Sequence, residues 1–333
     1  MPYAERWVSE CGTVVLYRGD CLEVLPTLDA NAGDLIATDP PYFKVKGEAW
    51  DRQWDKPEGF IAWIGQLCER WHRVLKPNGS LYVFASPKMA ARVECKVAET
   101  FNVLNTISWL KPSDNSDRRH VAQIVDKGLA RSFYPSGEKI VFAEHYGNSP
   151  ADRGHTFGSV VEYLRAERDA AGLNNEAIDS LCGWKTKAFH FFARSGSNFC
   201  MPTAENYRGL QQAMPGRFLR SYDDLLAEFD GNRRAFNVTA GSPYTDVWTF
   251  RTATAAKHPC EKPVDLMEHI VTASSREGDT VLDSCMGRAS TAIACLNTGR
   301  NFIGIEKDEA YFNAAKRRIS EALAARNAQL IAS

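Results

Sequence analysis

The sequence predicts an α/β fold: a doubly wound, mostly parallel sheet interrupted by a helical insertion. Three observations carry this. Short apolar β-rich runs recur along the chain, helical patterns separate most of them, and the alternation stops over residues 146–245 before it resumes. A length of 333 residues with 44% apolar content suffices for one large sheet domain and a smaller inserted one. The expected organisation is 1–145 and 246–333 as two parts of the sheet domain, with 146–245 between them.

The β-rich runs are 13–18, 34–38, 80–85, 105–110, 138–143, 280–283 and 301–306. Several are nearly continuous apolar stretches, as in strands covered on both faces. Over 60–75, Phe60, Ile64, Leu67, Trp71 and Leu75 recur at helical spacing, and Pro77-Asn78-Gly79 reads as the stop. A second amphipathic helix is expected over 264–273, with Pro263 in its first turn.

Composition narrows the function. The formal net charge is −1, so contact with a polyanion must come from local patches rather than a global field. Nine cysteines are scattered with no C-x-x-C pair, and the histidines complete no zinc spacing, so free thiols and no metal are expected. Residues 1–9 lack an apolar signal core and no apolar run reaches the length of a membrane span. A soluble, cytoplasmic protein with no membrane partner is the expectation.

Asp39-Pro40-Pro41-Tyr42 is the sharpest motif. It follows the run 34–38, at the carboxyl end of a strand, where α/β sheets bind ligands. Two prolines remove two N–H donors and leave carbonyl acceptors. An amino group on a base has its lone pair delocalised into the ring. Accepting its N–H bonds with the Asp39 carboxylate and the Pro40 carbonyl would draw it toward an attacking geometry, and Tyr42 offers a face for stacking. An ordinary proline-bearing loop is the plainer alternative. Far downstream, 278–291 reads as strand, tight turn and helix start, and about twenty residues beyond Asp283, Glu306 ends another strand, suited to ribose hydroxyls. His258-Pro-Cys-Glu-Lys262-Pro263 precedes the second amphipathic helix, and Gly19-Asp20 follows the first strand, where Asp20 suits a helix cap or a ligand contact.

In this order the segments resemble the β class of DNA amino-methyltransferases: the tetrapeptide first, then a target-recognition region, then H-P-x-x-K-P and the glycine turn. The resemblance covers all but the insertion. It implies a seven-stranded S-adenosylmethionine (SAM) methyltransferase sheet, permuted so that the cofactor half is C-terminal. It further implies Asp39, Pro40, Pro41 and Tyr42 as the catalytic residues. The SAM methionine site would be Asp283, Ser284, Cys285, Gly287, Arg288 and Ser290, with Glu306 at the ribose and Asp20 at the adenine. His258, Lys262 and Pro263 would line the pocket. Trp109-Leu-Lys111 and Asp246-Val-Trp248 are further family landmarks. Cys285, Arg288 and Ala289 replace the family's Phe, Ser and Gly, which keeps open a DNA-binding regulator with a degenerate cofactor site. Asp at the first position favours adenine N6, with cytosine N4 as the alternative. Double-stranded DNA as substrate, a homodimer and a place at the nucleoid complete the expectation, and a restriction endonuclease partner is left undetermined.

Within the insertion, 160–171, 175–181 and 185–194 read as three helices in helix-turn-helix spacing, with Ile178 and Leu181 buried. Lys185, Lys187, His190 and Arg194 then lie on or beside a recognition helix, although 151–234 is about neutral overall. Residues 43–60 read either as a lid with Lys44 and Lys46 on phosphates or as a loop packed down by Trp50 and Trp54. Residues 114–131 form a second basic stretch, with Arg118 and Arg119 as candidate phosphate contacts.

Overall fold

The computed structural model describes residues 2–45, 51–111, 133, 136–145, 158–193, 198–238, 244–251 and 261–332. Two compact units form, Met1–Asn148 with Ala235–Ser333, and Ser149–Arg234. In the first unit, β1 (Glu5–Val8), β2 (Val14–Arg18), β3 (Gly33–Thr38), β4 (Leu75–Ala85), β5 (Asn102–Leu110), β6 (Gly137–Glu144), β7 (Val247–Thr249), β8 (Thr280–Asp283) and β9 (Asn301–Glu306) make one sheet. Its order is β1-β2-β9-β8-β3-β4-β6-β5-β7. All pairings from β2 across to β4 are parallel, as is β5–β7; β1–β2, β4–β6 and β6–β5 are antiparallel.

The strand count corrects the expected seven to nine among the described residues. The seven apolar runs are the seven inner strands. The additional β1 and β7 are edge strands of four and three residues, too short and too exposed to form an apolar run. Alternate residues of the inner strands feed two layers. Leu35, Ala37, Tyr82 and Val281 pack with Leu266, Ile270 and Val271 of the helix Val264–Ser274, while Ile36, Leu81, Val83 and Leu282 pack with Phe60, Ile64, Leu67 and Trp71 of the helix Pro57–Val74. The Pro77-Asn78-Gly79 triplet does not stop the helix Pro57–Val74. β4 already begins at Leu75, and the triplet falls where the register with β3 slips, from Gly33↔Leu75 to Leu35↔Ser80.

The topology places a site. From β8 the chain proceeds outward to β9, and from β3 it proceeds the opposite way to β4. The loops leaving β3 and β8 therefore part and open a crevice at adjacent carboxyl ends. Gly304 in β9 fixes one wall of it. A Cβ at Gly304 would collide with Met286 and Phe302, so its absence seats Met286 over the strand, and the Met286 amide donates to the Ile305 carbonyl at 3.0 Å.

The second unit carries the helices Gly158–Ala170, Asn175–Leu181, Lys187–Phe191, Ala204–Ala213 and Tyr222–Asn232. Its core includes Val160, Leu164, Ile178, Phe191, Tyr207, Leu210 and Phe218. The buried Asp179 accepts from the Ala188 amide at 2.9 Å and ties the second helix to the third. Three expectations are corrected here. Leu181 is 57% exposed, because its helix ends there at a Cys182-Gly183 turn. The third helix is shorter than 185–194, and the last two helices were not singled out from the sequence. The unit also closes at Arg234 rather than at 245, since Asn237 already bonds to the carbonyls of Thr272 and Ser275. No helix among the described residues is long and apolar enough to cross a membrane.

Candidate active site

A cavity of about 500 Å³ fills the crevice, lined by Gly19 and Asp20, Asp39–Tyr42, Glu261 and Lys262, Asp283–Arg288, Ser290 and Glu306, among others. That volume lies within the range of small-molecule sites, ~300–1,000 Å³. Most of the residues expected at the cofactor and the target thus border one cavity, although they span the chain from 20 to 306. Pro263 is buried beside Lys262 as the residue before the helix and is not among the lining residues. His258 lies outside the described residues.

At the β3 end, one buried ammonium organises the chemistry. Lys262, 7% exposed, places Nζ 2.7 Å from Asp39 Oδ2, 3.0 Å from the Tyr42 hydroxyl and 3.1 Å from Glu138 Oε2. It stands over the rings of Tyr42 and Phe84 at 5.0 Å each, a cation–π setting. The Tyr42 hydroxyl donates to Glu138 Oε2 at 2.6 Å, and Lys111 pairs with Glu138 Oε1. The Tyr42 amide donates to the fully buried Asp51 at 2.7 Å, which holds the end of the tetrapeptide. Asp39 Oδ1 is buried and has no hydrogen-bond partner among the described residues.

Burial lifts the Asp39 carboxyl above its usual range. Lys262 opposes the shift and Glu138 adds to it, since both carboxylates share the one ammonium. For Glu138 burial acts upward too, but Lys262 and Lys111 outweigh it and hold the carboxyl down at about 2. Lys262 is shifted upward: burial works against its charge, and Asp39 and Glu138 more than compensate.

At the β8 end, Asp283 accepts from the Thr291 hydroxyl at 2.7 Å and from the Cys285 amide at 3.1 Å, and burial raises its carboxyl to about 6. Ser284 bonds Thr38 Oγ1 and Trp71 Nε1, both at 3.1 Å, which ties the loops of β8 and β3 together. Gly287 and Ala289 adopt left-handed φ of 51° and 62°, which turns the loop into its helix. Glu306 accepts from the Gly287 amide at 2.9 Å and the Asp308 amide at 2.7 Å, and burial raises it to about 7. Asp20 caps the helix Cys21–Val24 through the Leu22 amide and pairs with Lys307 at 2.9 Å, so cap and cavity contact coexist. Arg288 borders the cavity with Nε 3.9 Å from Glu261, while Arg318 holds the Arg288 carbonyl at 3.0 Å.

Sequence reasoning missed Glu138, which carries no motif, and treated Lys262 as a cofactor residue although its contacts join it to the tetrapeptide. Among the DNA candidates, Lys185, Lys187 and His190 are exposed around the helix Lys187–Phe191, whose Ala188 and Phe191 face inward. Lys44 is exposed and bonds the Asp55 carbonyl at 2.7 Å. Trp54 packs on Phe60 and Trp63 at 5.1 and 5.0 Å, so the described end of 43–60 is packed down. Lys46, Trp50, Arg118, Arg119 and Arg194, with the stretch 114–131, lie outside the described residues.

The Asp-Pro-Pro-Tyr acceptors thus stand at the switch point of a mostly parallel sheet, where α/β folds bind their ligands. The DNA methylase family profile matches residues 33–317, and the chain belongs to that family. Relatives include the DNA adenine methyltransferase YhdJ of Escherichia coli, 25% identical over 95% of this chain and 85% of that protein. The type II methyltransferase M2.DpnII of Streptococcus pneumoniae is 25% identical over 92% of this chain and 89% of its own length. Among solved structures, the PvuII DNA methyltransferase (cytosine-N4-specific) covers 96% of this chain and 94% of its own at 12% identity with a TM-score of 0.55. The M1.HpyAVI–SAM complex covers 92% of this chain and 99% of its own at 21% identity with a TM-score of 0.50. These two likenesses establish the fold, a SAM-methyltransferase sheet.

Proposed function

We propose that the protein methylates adenine N6 in double-stranded DNA, taking the methyl group from SAM. The carrying observation is Asp39 Oδ1, a buried acceptor without a partner among the described residues, bordering the same cavity as Asp283 and Glu306. The cavity fits the cofactor by charge. Asp20, Asp283 and Glu306 suit a ligand that carries a sulfonium, an ammonium and ribose hydroxyls. SAM supplies an activated methyl group. Asp39 and the Pro40 carbonyl accept the N–H bonds of the target amino group and align it, Tyr42 stacks on the extruded base, and no cysteine nucleophile is required. The proton released by the methylated amine passes to Asp39, whose raised affinity suits it as acceptor. Asp at the first motif position and the relative named as an adenine methyltransferase support adenine over cytosine.

Glu306 provides a test of the cofactor half. Burial raises its carboxyl to about 7, and only the ionised form accepts ribose hydroxyl bonds with both oxygens. The raised value means that the ionised fraction falls as pH drops through 7. SAM affinity measured by calorimetry is expected to fall about tenfold from pH 8 to pH 6. Glu306→Gln removes this dependence and leaves a weaker one near pH 6, where Asp283 takes up its proton. A flat profile in the wild type would count against Glu306 as a ribose ligand.

The unit Ser149–Arg234 is the target-recognition domain in this reading, with the helix Lys187–Phe191 facing DNA. Lys185→Glu with Lys187→Glu is expected to weaken DNA binding about tenfold or more in a filter assay and to flatten its salt dependence, leaving SAM affinity unchanged. Unchanged DNA affinity would remove this unit from the interface. A homodimer working at the nucleoid completes the reading, and light scattering gives the mass.

A further inference from the structure

Glu138 is the residue drawn most tightly into the site without a motif to announce it. It lies at the start of β6, which runs antiparallel to β4, so its first residues reach the sheet edge where β3 and β8 end. The Tyr42 hydroxyl and Lys262 both meet its Oε2, and Lys111 meets its Oε1. An ammonium has three N–H donors, and the three oxygens around Lys262 belong to Asp39, Tyr42 and Glu138. Lys262 then has no further donor for Asp39 Oδ1, which has no hydrogen-bond partner among the described residues.

We propose that Glu138 is a positioning residue for methyl transfer, occupying the Lys262 ammonium and the Tyr42 hydroxyl so that Asp39 Oδ1 stays free to accept the target amino group. The inference rests on the methyltransferase reading above. Without Glu138, the third Lys262 donor and the Tyr42 proton both turn to the nearest carboxylate, which is Asp39, and the acceptor is quenched. Lys111, 33% exposed and 4.7 Å from the Trp109 ring centre, balances the Glu138 charge. Asp39 and Glu138 then face Lys262 and Lys111, two carboxylates against two ammonium groups.

The experiment compares Glu138→Gln and Lys111→Met with the wild type by the pH profile of kcat and by carboxyl 13C NMR of Asp39 in the cofactor-free protein. Asp39 is faced by Lys262, Glu138, Tyr42 and Asp283, with Asp51 behind the Tyr42 amide. Removing the negative Glu138 lowers the proton affinity of Asp39, so the acid limb and the NMR titration move to lower pH by about one unit. Removing the positive Lys111 moves both to higher pH. For Glu138→Gln, kcat is expected to fall about 10- to 100-fold with KM for SAM within about twofold. An unmoved Asp39 titration, or a loss of kcat with an unmoved acid limb, would overturn the proposal and leave Glu138 a structural role. A wild type that methylates no DNA, with an Asp39 titration that still responds to Glu138→Gln, would instead overturn the methyltransferase reading alone.

Discussion

Asp39→Ala is expected to lower kcat for methyl transfer by about 100- to 1,000-fold while leaving SAM affinity within a few-fold. The acceptor removed is the one aimed at charge that develops in the transition state. As the amino nitrogen attacks, its hydrogens become more acidic and a carboxylate in a buried site holds them more strongly than water would. Asp39 Oδ1 has no competing donor among the described residues, so its acceptor capacity is reserved for the incoming group. Asp39→Asn keeps an acceptor of the same shape but cannot take the proton, and is expected to fall between the wild type and alanine. Single-turnover rates with bound cofactor separate this from a binding defect, and equal rates for wild type and Asp39→Ala would remove Asp39 from the chemistry.

Lys262→Met carries the second large effect, on stability as well as activity. The side chain is 7% exposed and is the shared counter-ion of Asp39 and Glu138. Breaking a buried pair by removing one partner typically costs about 3–5 kcal/mol, because the remaining charges stay buried without compensation. Lys111 still pairs with Glu138, so the cost falls mainly on Asp39. The variant is therefore expected to regain stability as pH falls and Asp39 takes up a proton. Urea unfolding at pH 8 and pH 5 measures this, and Lys262→Met with Asp39→Asn should recover part of the loss. A cost below about 1 kcal/mol at pH 8 would mean that the ammonium does not hold the cluster together.

The centre of the sheet was legible because β3, β4, β6 and β8 are covered on both faces over consecutive residues and so read as nearly continuous apolar runs. β1 and β7 were not, since a four-residue alternating edge and a three-residue edge leave no such signature. Asp39, Asp283 and Glu306 were legible because each ends an apolar strand. Glu138 was hidden for a topological reason: it meets Tyr42 across 96 residues, and only the antiparallel insertion of β6 beside β4 brings its amino end to the ligand edge. Lys262 was legible as a motif residue but not in its partners, because those depend on β3 lying next to β8. Leu181 shows the limit of periodicity, which placed it inside although its short helix ends before the core can cover it.

The most direct test incubates the protein with methyl-labelled SAM and unmethylated bacterial DNA, beside the Asp39→Ala variant, and identifies the labelled nucleoside after digestion. The expected result is label in N6-methyladenine that the variant does not produce. Label in N4-methylcytosine would contradict the choice of base, and intact SAM binding with no label in any nucleoside would contradict the account at its centre.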